Sequence, residues 1–181
     1  MPDPLLLHVE PATEAMAGAV DALRVAPDQV AHVGDTAFNF RNALLDNRCD
    51  AMAIVITGRA MAGNPGASPL PAAGDRRVIG FYRLDYAPTI ISRVPIDPAT
   101  VGLRAFMIDI GWQGRGFGGR AIRACCEDLR LRHPERRLLA LNVDCSNIAA
   151  IRSYRMAGFV DSGELYRGGK AGPQRLMLRA I

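Results

Sequence analysis

Between residues 112 and 120 the chain reads Trp-Gln-Gly-Arg-Gly-Phe-Gly-Gly-Arg, with apolar Leu103–Ile110 before it and a helix-like stretch after it. A glycine-rich turn at that place exposes main-chain N–H groups, and glycine lets the backbone approach a ligand closely. The start of a helix adds a positive dipole end, so the turn suits a diphosphate for two separate reasons. Arg115 and Arg120 add charge. Similar turns open dinucleotide-binding and nucleoside-triphosphate folds. Here no Gly-Lys-Ser/Thr follows, and the unit begins past residue 100 and does not open a doubly wound sheet.

A second constellation runs from Asn142 to Phe159, Asn-Val-Asp-Cys-Ser-Asn-Ile-Ala-Ala-Ile-Arg-Ser-Tyr-Arg-Met-Ala-Gly-Phe. Ser146 or Asn147 can cap a helix here and Gly158 can end it. On that helix Asn147, Ala150 or Ile151, and Tyr154 lie along one side. Small Ala149 and Ala150 leave room beside the helix start, and Tyr154 can reach whatever passes there. The bland alternative for Tyr154 is a half-buried core residue with a backbone partner for its hydroxyl.

These two stretches need elements to hold them. Leu5–Val9 reads as an opening strand, and a helix-like run from Thr13 toward Arg24 is stopped by Pro27. Asp35–Asp46 reads as a second helix. Ala51–Thr57 and Val78–Leu84 read as a buried hairpin pair, separated by a long Gly/Pro/Ala/Ser-rich loop, Gly58–Arg76, a candidate lid. Leu103–Ile110 is a strand, Gly116–Leu131 a helix, Leu138–Val143 a strand and Ser146–Met156 a helix, with late strands at Phe159 and Arg175–Leu178. Alternation of strand and helix in this half predicts parallel pairing through right-handed crossovers. Ile122, Cys125, Cys126 and Leu129 recur at i, i+3, i+4 and i+7, the core-facing side of the helix after the glycine turn.

Composition narrows the classes. A length of 181 residues, 49% hydrophobic and 22% charged, is a globular balance near the usual size of one domain. No apolar run reaches the roughly 18–20 residues of a membrane span, and Leu5-Leu6-Leu7 lacks the basic flank of a signal. The chain is therefore expected to be cytoplasmic, with no membrane partner. Cys49, Cys125, Cys126 and Cys145 show no Cys-x-x-Cys spacing, and His8, His32 and His133 are far apart, so neither metal nor disulfides are expected. Net charge is +4, but of 22 Lys plus Arg only Lys170 is lysine and the arginines are scattered. Without a basic block or interleaved aromatics, no nucleic-acid partner is expected.

Taken together, the two constellations resemble the GCN5-related N-acetyltransferase family. Its Q/R-x-x-G-x-G/A turn matches Gln113-Gly114-Arg115-Gly116-Phe117-Gly118, and its N-x-x-A-x-x-x-Y-x-x-x-G-F pattern matches Asn147, Ala150, Tyr154, Gly158 and Phe159. The resemblance implies one N-acetyltransferase domain over residues 1–181. It also implies an α/β (α+β) fold, a mixed, mostly antiparallel sheet of six or seven strands splayed between strands 4 and 5 and flanked by about four helices. Acetyl-CoA would be the cosubstrate, with the backbone of Phe106, Met107 and Ile108 meeting the pantetheine arm. Gln113 through Gly119 would hold the pyrophosphate, Asn147 and Ala150 would lie beside the arm, and Tyr154 would protonate the departing thiolate. Homodimers are common among relatives, so a homodimer is carried as an expectation.

An alkylamine acceptor titrates near ~10 and must lose a proton before it attacks. Polyamine acetyltransferases of the family carry a glutamate on the strand before the turn, where this chain has Arg104. Asp85, then Asp109, then Glu164 are the carboxylates expected to serve instead through water. A nucleophilic route through Cys145 lacks a neighbouring histidine. The resemblance implies acetylation of a small-molecule amine, polyamine-like by loose similarity to bacterial spermine/spermidine acetyltransferases. A protein or peptide N-acetyltransferase and a non-catalytic acyl-CoA sensor are the alternatives.

Overall fold

A computed structural model describes residues 5–58, 75–87, 96–167, 169 and 172–181. Its strands are β1 (Leu5–Pro11), β2 (Cys49–Gly58), β3 (Arg76–Asp85), β4 (Thr100–Ile108), β5 (Leu138–Asp144), β6 (Val160–Tyr166) and β7 (Gln174–Ala180). Its α-helices are α1 (Ala17–Asp21), α2 (Val30–Val33), α3 (Thr36–Leu45), α4 (Phe117–Arg132) and α5 (Ile148–Met156). The strands form one seven-stranded sheet in the order β1-β2-β3-β4-β5-β7-β6. The expected lid, Gly58–Arg76, lies almost wholly outside the described residues.

Each central strand is apolar on both faces, because helices cover both. On β2, Met52, Ile54 and Ile56 join the core under α4, while Ala51, Ala53 and Val55 join the core under α1 and α3. The α4 side buries Ile122, Cys125, Cys126 and Leu129, as their spacing predicts, together with Phe117 and Ala121.

The parallel expectation holds in one place and needs correction in another. β4 and β5 pair in parallel across α4. β5 and β6 do not pair across α5, because β7 folds back from β6 as an antiparallel neighbour and takes the position beside β5. The first helical stretch is also shorter than expected. A 3₁₀ turn, Glu14–Met16, leads into α1, which ends at Asp21. Arg24 is drawn off by tertiary bonds instead: its N–H donates to Asp109 Oδ2 at 2.8 Å, and its carbonyl accepts from Ile110 N at 2.7 Å. Pro27, read from sequence as a stop, opens a further 3₁₀ turn, Pro27–Gln29, that runs into α2. Proline is at home in a first helical turn, where its missing N–H costs nothing.

The feature that shapes the site is the divergence of β4 from β5. They pair only over Thr100–Gly102 with Leu138–Ala140. Beyond Gly102, β4 keeps its β3 neighbour alone. On that side β4 carries one extra residue, since Phe81 pairs with Met107 but Arg83 with Arg104. The bulge coincides with Ala105 at φ 49°, a left-handed conformation unusual for a residue with a Cβ. A V therefore opens between Leu103–Ile108 and the distal half of β5.

Candidate active site

At the open end of the V, β4 runs through a 3₁₀ turn, Ile110–Trp112, into the glycine turn and α4. Asp109 caps that 3₁₀ turn by accepting from Gly111 N at 2.9 Å. Gly114 and Gly116 have φ of 74° and 77°, and Gly116 is the N-cap residue of α4. A Cβ at either would meet open space, so what calls for glycine is the backbone conformation. Among the described residues, none of the main-chain N–H groups from Gly114 through Gly119 has a protein acceptor. Those donors lie on the positive end of a 16-residue helix, the environment a diphosphate needs.

The side chains of this turn mostly face inward. Phe117 is buried and meets the Trp112 ring edge-on at 5.9 Å, so only its main chain is available to a ligand. Gln113 is tied by Nε2 to Ile108 O at 2.9 Å and exchanges side-chain bonds with Gln29 ahead of α2. Exposed Arg115 lies over Trp112 at 5.1 Å. Arg120 lies over Phe117 and donates to Leu5 O at 2.8 Å.

Among the described residues, side-chain contacts cross the V on each face of the sheet. On the α4 face Phe106 of β4 meets Tyr154 of α5 at 6.2 Å between ring centroids, and Tyr154 also packs on Phe159 at 5.6 Å. Burial raises the Tyr154 phenol above its usual range, so it keeps its proton at neutral pH. Among the described residues no group hydrogen-bonds that hydroxyl, which leaves its proton available. Asn147 caps α5 by accepting from Ala150 N at 3.1 Å, so its Oδ1 is committed while its amide nitrogen is not. Half-buried Ala150 lies between Asn147 and Tyr154 on the packed side of the helix.

On the other face, His32 of α2 contacts Asp144 at the end of β5, with Nδ1 against Oδ2. Asp144 is 5% exposed, and its Oδ1 accepts from Gln174 Nε2 of β7 at 2.9 Å. No local pattern could have found this pair, because its members are 112 positions apart.

The three carboxylates expected from sequence stand in unlike places. Asp85 is not a surface group but fully buried, at the closed end of the V opposite Gly102. It accepts from Cys49 Sγ at 2.6 Å, Arg83 Nε at 2.8 Å and Arg104 Nη1 at 3.2 Å. Burial and the adjoining Asp85 carboxylate push the Cys49 thiol up to about 12, so it remains a neutral donor. Asp109 has both oxygens on main-chain N–H groups, from Arg24 and Gly111. Glu164 is exposed on β6, the sheet's edge strand, with β7 between it and β5.

Known proteins fit this geometry. The model of the acetyltransferase (GNAT) family matches residues 40–159. The aminoglycoside acetyltransferase AAC(6′)-Ib, solved with coenzyme A, superposes with a TM-score of 0.69 at 18% identity, over 97% of this chain and 95% of that one. The spermidine N-acetyltransferase from Vibrio cholerae, in complex with CoA and spermine, gives 0.64 at 14% identity, over 96% and 95%. The ribosomal-protein-S18-alanine N-acetyltransferase from Escherichia coli gives 0.60 at 15% identity, over 97% and 94%. No curated protein matches the sequence. Among the described residues, no helix is long and apolar enough to cross a membrane.

Proposed function

Because the chain belongs to the acetyltransferase (GNAT) family, we propose that it transfers the acetyl group of acetyl-CoA to a primary amine of a small molecule by direct attack. The observation that carries this reading is the run of unpaired N–H groups from Gly114 to Gly119, set at the open end of the V between β4 and β5. Acetyl-CoA, when bound, supplies an activated thioester. The amides of Gly114, Arg115, Gly116, Phe117, Gly118 and Gly119 hold its diphosphate, with Arg115 adding charge and Gln113 bracing the start of the turn through its bonds to Ile108 and Gln29. The free edge of β4 at Phe106, Met107 and Ile108 offers main-chain groups to the pantetheine arm. Asn147 and Ala150 flank that arm from α5. Tyr154, protonated and facing Phe106, gives its proton to the departing sulfur.

A small-molecule acceptor is favoured by the company the fold keeps, since neighbours of this shape are named for aminoglycosides and for spermidine. A peptide acceptor is the second reading, and the ribosomal-protein neighbour supports it. Coverage of 96–97% of the chain by these folds supports reading residues 1–181 as a single acetyltransferase domain. The test is release of coenzyme A thiol from acetyl-CoA with polyamines, aminoglycosides, amino acids and short peptides, beside the melting temperature with and without acetyl-CoA. Turnover with at least one amine is expected, strongest with a small molecule. A melting shift without any thiol release would leave an acyl-CoA sensor.

A further inference from the structure

Resting on the acetyltransferase reading above, we propose that His32 is the base that takes the proton from the acceptor amine, with Asp144 as its positioning residue. The geometry fixes the imidazole's polarity. Asp144 is a buried carboxylate whose Oδ1 is taken by Gln174 Nε2, and its Oδ2 meets His32 Nδ1. A bare Nδ1 lone pair would repel that oxygen, so Nδ1 carries the hydrogen and donates it. Nε2 is then left as the proton acceptor. The His32 side chain keeps 22% of its surface open, so an incoming amine can reach it.

Its place in the fold matches the task. α2 is anchored beside β4 through Gln29 to Gln113 and, at the start of α3, through Thr36 Oγ1 to Met107 Sδ at 3.2 Å. From that anchor His32 spans the V to the end of β5. Tyr154 spans the same V on the opposite face. A thioester held between β4 and β5 therefore has a proton donor on its sulfur side and a proton acceptor on the face from which an amine arrives. The other carboxylates do not compete. Asp85 is enclosed by three donors, Asp109 is spent on main-chain amides, and Glu164 stands on the far edge strand. Arg104, exposed and paired with Asp85, carries the wrong charge for a base.

The protons balance. His32 Nε2 accepts one proton from the ammonium form of the acceptor and passes it to solvent. The neutral nitrogen then forms the C–N bond to the acetyl carbon as the C–S bond breaks. Tyr154 protonates the sulfur, and the surplus proton on the new amide nitrogen leaves through His32, restoring Tyr154 by way of solvent. Asp144 is the charged group in contact with His32 among the described residues, and it holds the ring by Nδ1 while Nε2 exchanges the proton.

The test is the pH dependence of kcat/KM for thiol release, with kanamycin, spermine and an alanyl peptide as acceptors, in wild type, His32→Ala, His32→Gln and Asp144→Asn. His32→Ala is expected to lower kcat/KM by about 100-fold near pH ~7. The deficit should shrink as pH nears the amine's own pKa of ~10, where the acceptor needs no base. His32→Gln can still donate to Asp144, so it should keep the melting temperature yet show the same loss, which separates base from strap. Asp144→Asn should lose part of the rate with the acetyl-CoA melting shift intact. Wild-type rate and pH profile in both His32 variants would overturn the assignment, as would a wild type that binds acetyl-CoA and acetylates none of the amines. Failure of wild type to bind acetyl-CoA at all would instead remove the acetyltransferase reading on which this one rests.

Discussion

Asp85 and Arg104 face one another at the closed end of the V. With a guanidinium at position 104, the carboxylate of Asp85 is turned inward to neutralise it together with Arg83. On that geometry we read Asp85 as an anchor of the sheet in place of the base expected from sequence. Replacing it by Asn would take the nearer counter-charge from buried Arg83 and leave only Asp46 at 3.9 Å among the described residues, and removing one partner of a buried pair costs about 3 kcal/mol. Asp85→Asn is expected to lower the melting temperature sharply while the pH profile of acetyl transfer stays in place. An upward shift of that profile at unchanged stability would return Asp85 to the role of base. His32 and Asp144 carry the opposite logic, since Asp144 engages one ring nitrogen of a partly exposed imidazole.

Among the elements, β4 is the one whose edge is proposed to meet the cosubstrate, and its position is set by β3. Gly80 pairs with Ile108, and a Cβ there would lie 2.4 Å from the carbonyl oxygen of Met107. Only glycine lets the two backbones approach so closely, one pair away from the Phe81–Met107 pair that borders the bulge at Ala105. Gly80→Ala must push β4 away, at about 1–3 kcal/mol for overpacking. Because the displaced backbone includes the edge offered to pantetheine, the melting shift produced by acetyl-CoA should shrink together with stability. Loss of stability with an undiminished acetyl-CoA shift would mean that this edge does not touch the cosubstrate.

At the scale of the whole molecule, the sheet is two halves joined along a short seam. β1 to β4 form one half and β5, β7 and β6 the other, with three residue pairs of β4 and β5 between them. Beyond the seam, the Phe106–Tyr154 and His32–Asp144 contacts bridge the halves. A ligand wedged into the V replaces missing strand pairing, so acetyl-CoA should stabilise the protein by linkage and slow amide exchange over Leu103–Ile108 and Gly114–Gly119. Unchanged exchange in both segments, in a sample whose melting temperature rises, would place the cosubstrate elsewhere. The formal charge of +4 should also make acetyl-CoA association faster at low than at high salt.

What the sequence determined by itself was whatever rests on neighbours within a turn or two. Strands β1 to β5 and β7 and helix α4 follow from apolar spacing, and the candidate cradle from glycines placed between a strand and a helix. Family resemblance added the splay. Tertiary structure decided the rest: that Arg24 leaves its helix for Asp109, that Pro27 starts a turn, that β7 lies between β5 and β6, and that Asp85 is buried. It also decided that His32 meets Asp144. Such contacts depend on how strands are ordered and how far apart two of them spread, and a hydrogen bond between groups 112 residues apart leaves no period or motif in the chain that makes it.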